Sequence, residues 1–560
     1  MSLPRLLVLA PLRIEARALG PGRSAVIGNV HLHVERTGMG LVKAAAAAAR
    51  LSAGTGASPG DRPGASPAAS PPGSPQSGGP HRAQAQSGGQ KRAGGTLRTT
   101  RSPSEPPPAP VAVALCGLGG DLTGRHQPGD IVVAERVLNQ VGQEVAKLTS
   151  AALLAAEMRR LGLRASTGTV MSTDHIVTGA ERAQLAQLGA HVVDMESGPV
   201  AGAPWGAPVA VVRAISDAPG HELFSPAGAR GVWLALRSLR AARPALAAWA
   251  RAAGPRDVLL AEPRGFCAGV RRAIETVERA LHRYGAPVYV RRQIVHNAHV
   301  VSRLENAGAT FVKELSEVPD GATVVFSAHG VGTAVNEEAA RRGMNTIDAT
   351  CPLVTKVHTE ARRFAAAGRQ LVLVGHAHHD EVEGTLGIAP GIQLVSTPED
   401  VAHLDIDPAR PTAFVTQTTL ATDEVANVIE ALEERISDLA RPAASDICYA
   451  SQNRQEAVRH IAPDCDLVLV VGSPNSSNSN RLVEVAQRQG AEAHLIDSAA
   501  DIKLAWLSGA RRVGISAGAS APEELVQEVL ASLASLGSLS IEQRTTGNEH
   551  VTFPLPQEIR

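Results

Sequence analysis

Short aliphatic runs punctuate the chain, each followed by a polar loop and then by apolar residues recurring at three- and four-residue steps. Leu6-Leu7-Val8-Leu9-Ala10-Pro11-Leu12, Val111-Ala112-Val113-Ala114-Leu115, Val258-Leu259-Leu260-Ala261, Val324-Val325-Phe326, Leu371-Val372-Leu373-Val374 and Leu467-Val468-Leu469-Val470-Val471 read as buried strands. After Cys267, Val270, Ile274, Val277 and Leu281 form an apolar stripe, with Arg271, Arg272, Glu275, Glu278 and Arg279 between them. After Cys351, Pro352 suits a first helical position, and Val354, Val357, Ala361 and Phe364 form the stripe. Strand, loop and helix in alternation predict an α/β architecture, with largely parallel sheets in the second half.

The pattern fails in two places. From 51 to 110 it gives way to Gly, Ser, Pro, Ala, Gln and Arg, as in Ser70-Pro71-Pro72-Gly73-Ser74-Pro75. Such a stretch buries too little apolar surface to offset its ordering entropy, so a disordered surface insert is expected. A strand-and-helix start lies before it and a strand after it, so it interrupts one domain, spanning 1–50 and 111–250. A second Ala/Arg/Pro/Gly stretch, from Ala242 to Pro255, predicts a boundary before a domain spanning 256–560. With 560 residues, the chain has length for roughly three or four domain-sized units.

Lys+Arg and Asp+Glu are equal at 54 each, so no global field draws the chain to nucleic acid or an anionic membrane. Any anion site is local. Arg13 and Glu15 interrupt the first apolar run, and no window nears the ~20 apolar residues of a spanning helix. The expectation is a cytoplasmic protein without membrane insertion. Cys116, Cys267, Cys351, Cys448 and Cys465 are too scattered for a disulfide framework, and in a reducing compartment they favour metal binding or catalysis.

Three of these cysteines, Cys267, Cys351 and Cys448, each open a helical pattern. The positive end of a helix dipole favours a thiolate and a negatively charged metal–sulfur site. Three small buried residues are the plain alternative, and their wide spacing is unlike the short cysteine runs of ferredoxins. Similarly, Asn475-Ser476-Ser477-Asn478-Ser479-Asn480 lies between a strand and an amphipathic stretch, where it makes either an ordinary cap and turn or a helix-terminus anion site.

The words around these residues carry a resemblance. Pro263-Arg264-Gly265-Phe266-Cys267-Ala268-Gly269-Val270, Val295-His296-Asn297, Phe326-Ser327-Ala328-His329-Gly330, Asp348-Ala349-Thr350-Cys351-Pro352, Glu381-Val382-Glu383-Gly384-Thr385, Thr416-Gln417-Thr418-Thr419, Ile447-Cys448-Tyr449-Ala450, Asn475 to Leu482 and Ala517-Gly518-Ala519-Ser520 stand in the order seen in the 4-hydroxy-3-methylbut-2-enyl diphosphate reductase family. The resemblance covers the second domain. It implies three pseudo-symmetric α/β modules around a [4Fe–4S] cluster held by Cys267, Cys351 and Cys448, with one iron open to substrate. It implies diphosphate binding by His296, His329, His379, Ser476, Ser477, Asn478, Thr418 and Ser520, with Glu381, Thr418 and His379 serving catalysis.

The implied reaction is reductive dehydroxylation to isopentenyl and dimethylallyl diphosphate, the last step of the methylerythritol phosphate route. No dinucleotide fingerprint occurs in this half, so a ferredoxin- or flavodoxin-type donor is expected. Two departures stand out: Asp380 where the family often has proline, and Ser451-Gln452 where it has two threonines.

The first domain resembles the purine nucleoside phosphorylase/nucleosidase superfamily, whose fold is a mixed sheet flanked by helices. Ala10-Pro11 with Glu15, Thr37-Gly38-Met39-Gly40, Val193-Asp194-Met195-Glu196-Ser197 and Arg213-Ala214-Ile215-Ser216-Asp217 carry that likeness. It implies a purine nucleoside substrate, with Asp217 protonating the base, Glu196 holding ribose hydroxyls, Met195 packing on the sugar and Glu15 orienting water. Were phosphate the nucleophile, Gly38 to Gly40 and a Gly117–Gly120 loop would cradle it. The alternative is a non-catalytic binding or assembly domain attached to an active reductase.

Overall fold

The structure, a computed structural model, describes residues 3–20, 24–53 and 109–560. Within these, the first half contains β1 (Arg5–Ala10), α1 (Arg13–Leu19), β2 (Ser24–Ile27), β3 (Val30–Arg36), α2 (Leu41–Ser52), β4 (Ala112–Asp121), β5 (Ile131–Leu138), β6 (Glu144–Lys147), α3 (Ala151–Arg160), β7 (Ala165–Ser172), α4 (Glu181–Gln187), β8 (Val192–Asp194), α5 (Ser197–Ala201), β9 (Val209–Asp217), α6 (Pro226–Ala241) and α7 (Arg243–Ala252).

The strands form one mixed sheet in the order β2-β3-β1-β4-β8-β7-β5-β6. Strand β9 pairs parallel with β4 and antiparallel with β5, curling the sheet towards closure. Apolar residues face both sides, giving one core around Leu6, Val8 and Ala114 and another around Leu7, Leu9 and Val113. Burial on both faces accounts for strands that read as continuous aliphatic runs rather than alternating ones.

Strand β1 pairs with β3 on one side and β4 on the other, so the segments flanking the expected insert share a sheet. Helix α2 continues through Ser52, and residues 54–108 of the insert lie outside the described residues. Gly117 to Gly120, expected to be a loop, lie within β4, with a register shift between Gly119 and Gly120.

The stretch expected to end the first domain folds as α7, whose Leu246 and Trp249 are buried. Its core continues through Val258, Leu469, Val513 and Leu533, so the two halves share apolar packing. Arg160 of α3 adds hydrogen bonds to the carbonyls of Ala500 at 3.0 Å and Ile502 at 3.2 Å. An alanine-rich segment supplies a narrow helix that both halves can approach, which composition alone did not reveal.

The second half begins with β10 (Arg256–Glu262) and α8 (Ala268–Tyr284). Three modules follow. The first comprises β11 (Val288–Arg291), α9 (Ala298–Asn306), β12 (Ala309–Val312), β13 (Thr323–Phe326), α10 (Thr333–Arg341) and β14 (Asn345–Asp348), with sheet order β12-β11-β13-β14. After α11 (Pro352–Ala366), the second comprises β15 (Gln370–Val374), α12 (Asp380–Leu386), β16 (Gln393–Val395), α13 (Pro398–Val401), β17 (Thr412–Thr416), α14 (Thr422–Arg435) and β18 (Leu439–Ala440), ordered β16-β15-β17-β18.

After α15 (Tyr449–Ile461) come β19 (Leu467–Val471), α16 (Ser477–Arg488), β20 (Glu492–Ile496), β21 (Arg512–Ala517), α17 (Glu523–Ala534) and β22 (Leu539–Thr545). Together with β10 they make the third sheet, β20-β19-β21-β10-β22. The pairings within all three sheets are parallel. Ligand-bearing loops of such sheets gather at the carboxyl ends of the strands.

Candidate functional site

The three modules present equivalent loop positions to one central cleft. His296 follows Arg291, the last residue of β11, by five positions; His379 follows Val374 of β15 by five; Ser476 follows Val471 of β19 by five. A second set starts from β13, β17 and β21. Ala328, Thr418 and Ala519 stand two residues beyond Phe326, Thr416 and Ala517, and their carbonyls accept the amide N–H of Cys351, Cys448 and Cys267 at 3.0, 2.9 and 3.3 Å. Each cysteine is thereby tied to the loop of a module and also caps a helix: Cys267 caps α8, Cys351 α11 and Cys448 α15.

The three thiols line the same cleft. A Cβ built on Gly269 would lie 2.6 Å from Cys351 Sγ and 3.8 Å from Cys267 Sγ, so the missing side chain there leaves room for sulfur. The Cys448 thiol meets Ser451 Oγ at 3.1 Å and accepts the Ser451 amide at 3.2 Å. Burial outweighs the helix ends: it pushes the Cys351 thiol up to about 12 and the Cys448 thiol up to about 11. At Cys351 and Cys448, burial thus works against the ionisation that the helix ends favour. Three soft, half-buried thiols around a space kept clear by glycine fit an iron–sulfur group, whose positive iron centres favour the deprotonated form. Cys116 and Cys465 lie outside this cleft; Cys116 sits within β4.

His296, His329 and His379 form a compact imidazole group. The His296 and His329 rings stack at 4.1 Å, while His379 stands edge-on at 5.3 and 5.8 Å from them. His379 Nδ1 accepts the Glu381 amide at 3.2 Å as it caps α12, which makes Nε2 its proton-bearing nitrogen. Burial lowers His379 to about 4 and also lowers His296 and His329. His296 Nε2 is buried without a hydrogen-bond partner among the described residues.

Opposite these rings, Ser476 caps α16, Ser477 opens it and Asn478 follows. Asn478 donates to Ser451 Oγ at 3.2 Å and accepts from the Ala519 amide at 2.9 Å. Ser520 donates to the His296 carbonyl at 3.0 Å. The Ser/Asn run is thus both a helix cap and a lining of the cleft. Imidazoles and hydroxyls converging on one helix N-terminus make an arrangement suited to an oxyanion.

Glu381 lies in the same cleft and is 2% exposed, and burial outweighs its hydrogen bonds from Thr418 to raise it to about 7. A carboxyl so placed can hold a proton near neutral pH. Ser451, marked in the sequence as a departure, lines the cleft with Val270, Val354, Tyr449 and Phe553, none of which the sequence marked as facing a site. Ordinary apolar positions carry no sign of which cavity they face.

A second cleft, in the first half, brings together Glu15, Met195, Glu196 and Asp217. Glu15 accepts the amides of Leu12 at 2.5 Å and Leu118 at 2.8 Å, and burial raises its pKa. Glu196 accepts the Gly40 amide at 3.1 Å and is raised to about 7, chiefly by burial. Asp217 accepts the Ser216 hydroxyl at 2.5 Å and forms an ion pair with buried Arg182.

The glycines offered as a phosphate cradle have protein neighbours. Gly117 faces Arg213, whose Nη1 would lie 2.3 Å from a Cβ there, and the Gly40 amide is taken by Glu196. Arg213, fully buried, pairs with Asp194 and lies 3.6 Å from Glu196. Arg213 stood inside a quoted family word, whereas nothing in the sequence around Arg182 tied it to Asp217.

Two family models match the chain: one described as LytB protein over residues 258–534, and one described as Phosphorylase superfamily over residues 10–241. The 4-hydroxy-3-methylbut-2-enyl diphosphate reductase of Azoarcus sp. strain BH72 is 56% identical over 305 residues, covering 54% of this chain and 98% of that protein. That of Bordetella pertussis is 58% identical over 302 residues, covering 54% and 93%. The solved E-1-hydroxy-2-methyl-but-2-enyl-4-diphosphate reductase of Plasmodium falciparum is 35% identical, with a TM-score of 0.53 over 55% of this chain and 97% of that one.

Proposed function

Since the chain belongs to the 4-hydroxy-3-methylbut-2-enyl diphosphate reductase family through its second half and to the phosphorylase superfamily through its first, we propose that it reduces that diphosphate to isopentenyl and dimethylallyl diphosphate. The observation that carries this reading is the convergence of three cysteines, three histidines, the Ser/Asn run and a buried Glu–Thr pair on one cleft. Cys267, Cys351 and Cys448 would hold a [4Fe–4S] cluster. When bound, the cluster supplies electrons and a Lewis-acidic iron for the allylic hydroxyl.

The chain's own residues do the rest. His296, His329 and His379 with Ser476, Ser477, Asn478 and Ser520 bind the diphosphate, and the apolar wall of Val270 and Val354 encloses the carbon chain and excludes water. Glu381 holds a proton at its carboxyl, and Thr418 orients it through amide and hydroxyl. The reaction takes up two electrons and two protons, breaks the carbon–oxygen bond and releases the hydroxyl as water. Glu381 protonates that leaving oxygen, since hydroxide is a poor leaving group. A ferredoxin- or flavodoxin-type protein delivers the electrons. The test is anaerobic reconstitution followed by turnover with a reduced one-electron donor; a full cluster without isopentenyl or dimethylallyl diphosphate would reject the reading.

A second activity is favoured by the other cleft, which Glu15, Glu196 and Asp217 line together with apolar Met195. We propose cleavage of a purine N-glycosidic bond there, Asp217 protonating the base and Glu196 holding the ribose. A non-catalytic first domain is the competing reading, and purine release from a nucleoside panel separates the two.

A further inference from the structure

Arg292 stands just past the end of β11 in the left-handed region, at φ 60°, a conformation that a non-glycine side chain keeps only when its surroundings impose it. Its guanidinium reaches into the second module. It donates to Asp380 Oδ1, and its Nη2 lies 2.6 Å from Glu383 Oε2. These two acids flank Glu381 in the first turn of α12. Burial opposes the Arg292 charge, but both carboxylates more than compensate and raise its pKa. Glu314 of the first module approaches the same guanidinium at 3.5 Å.

The far end of α12 has other anchors. Gly330 and Gly332 pack backbone to backbone on Gly384 and Gly387, and the Thr333 amide donates to the Gly387 carbonyl at 2.9 Å. The near end, which carries Glu381, is attached to the first module through Arg292. The other oxygen of Asp380 points to the imidazoles, with Oδ2 at 4.0 Å from His296 Nε2 and 3.9 Å from His329 Nδ1. These three groups are close enough to suggest a cation. However, stacked rings at 21° direct their in-plane lone pairs side by side rather than to one point, and Arg292 already neutralises the carboxylate.

We propose that Arg292 is a positioning residue that locks the first turn of α12 to the first module, setting Glu381 and the imidazole group in register and shielding incoming diphosphate from Asp380. The inference rests on the reductase reading for its catalytic consequence alone. Without the guanidinium, Asp380 and Glu383 stand uncompensated beside an anion site, and α12 loses its grip at the end that bears the proton donor. Two separable defects follow: weaker anion binding from charge, and slower turnover from misplacement.

The full chain with reconstituted cluster is compared with Arg292→Met, Arg292→Lys and Arg292→Met/Asp380→Asn. Arg292→Met is expected to raise KM about tenfold, lower kcat about tenfold and weaken binding of inorganic diphosphate about tenfold by calorimetry. Amide exchange over 380–386 should accelerate while that of α11 stays constant. Adding Asp380→Asn should return KM and diphosphate affinity towards wild type and leave kcat low; Arg292→Lys, which keeps charge but not the fork, should do the same. Calorimetry and exchange need no turnover, so they read the lock even where the reductase assay of the unaltered chain fails. Diphosphate affinity and α12 exchange within twofold of wild type in Arg292→Met would overturn the proposal, as would a double variant whose KM stays as high as that of the single one.

Discussion

Thr418 holds both oxygens of the Glu381 carboxyl, its amide donating to Oε1 at 2.6 Å and its hydroxyl to Oε2 at 3.0 Å. The same residue's carbonyl accepts the amide of Cys448 at 2.9 Å. One loop residue therefore fixes the buried carboxyl and the cap of the helix carrying a thiol, so the proposed proton donor and the proposed cluster ligand share a scaffold.

This pairing sets a pH dependence. Burial, the largest influence, raises Glu381 to about 7, and the acid form is the one that can protonate a leaving oxygen. Turnover should be highest below pH 7 and fall as pH rises through about 7. Glu381→Gln should lower kcat by about 10²-fold or more without changing the cluster's visible spectrum. Thr418→Val removes a hydrogen bond that favours the carboxylate, so the alkaline limb should move upward. The measurement is kcat against pH for the three proteins, and an unmoved limb in Thr418→Val would remove this residue from the proton donor's environment.

Cluster assembly should fail at particular positions only. Cys267→Ser, Cys351→Ser and Cys448→Ser should each lose iron and acid-labile sulfide, while Cys116→Ser and Cys465→Ser keep both. Gly269→Ala adds a Cβ 2.6 Å from Cys351 Sγ in the first turn of α8, although alanine is the better helix former. Its cluster content should drop while the apo-protein's melting temperature holds or rises. Full iron content in Gly269→Ala would show that the thiols lie elsewhere.

In the first half, Asp217→Asn and Glu196→Gln should each lower purine release by about 10²-fold or more, measured chromatographically with nucleosides of varied 5′ substituents. Reductase turnover should stay unchanged. Purine release at the unaltered rate in Asp217→Asn would favour a binding domain.

Arg213 presents a stability test. It is fully buried with Asp194 and near Glu196, so Arg213→Met strands two acids away from water. Breaking such a buried pair costs about 3–5 kcal/mol. Denaturant unfolding followed by a signal from the first half should show that loss, and Arg213→Met/Asp194→Asn should recover part of it.

Strand order and partner faces were beyond the reach of the sequence, but much else was legible because it depends on local chemistry. Aliphatic runs such as Leu467–Val471 became strands and the stripe after Cys267 became α8, since burial and helical periodicity act over a few residues. The family words around Cys267, His329 and Ser476 named the members of one cleft before any geometry. Other features belong to distance in space. Gly117 to Gly120 read as a loop, yet pairing with β9 draws them into β4; Ala242 to Pro255 read as a boundary, and the sequence did not show that this stretch forms a helix packed in a core reaching both halves. Arg182 and Arg292 went unmarked because a charge announces neither its partner nor its depth.

Sequence alone determined the element types, the reductase-family membership of the second half, the phosphorylase likeness of the first and the residue types that carry chemistry. Tertiary structure decided which thiols face one space, that burial opposes ionisation of the Cys351 and Cys448 thiols at their helix ends, and that Asp380, an odd residue in its word, meets Arg292. Those outcomes depend on desolvation and on contacts between modules far apart in the chain, and neither exists until the chain has folded.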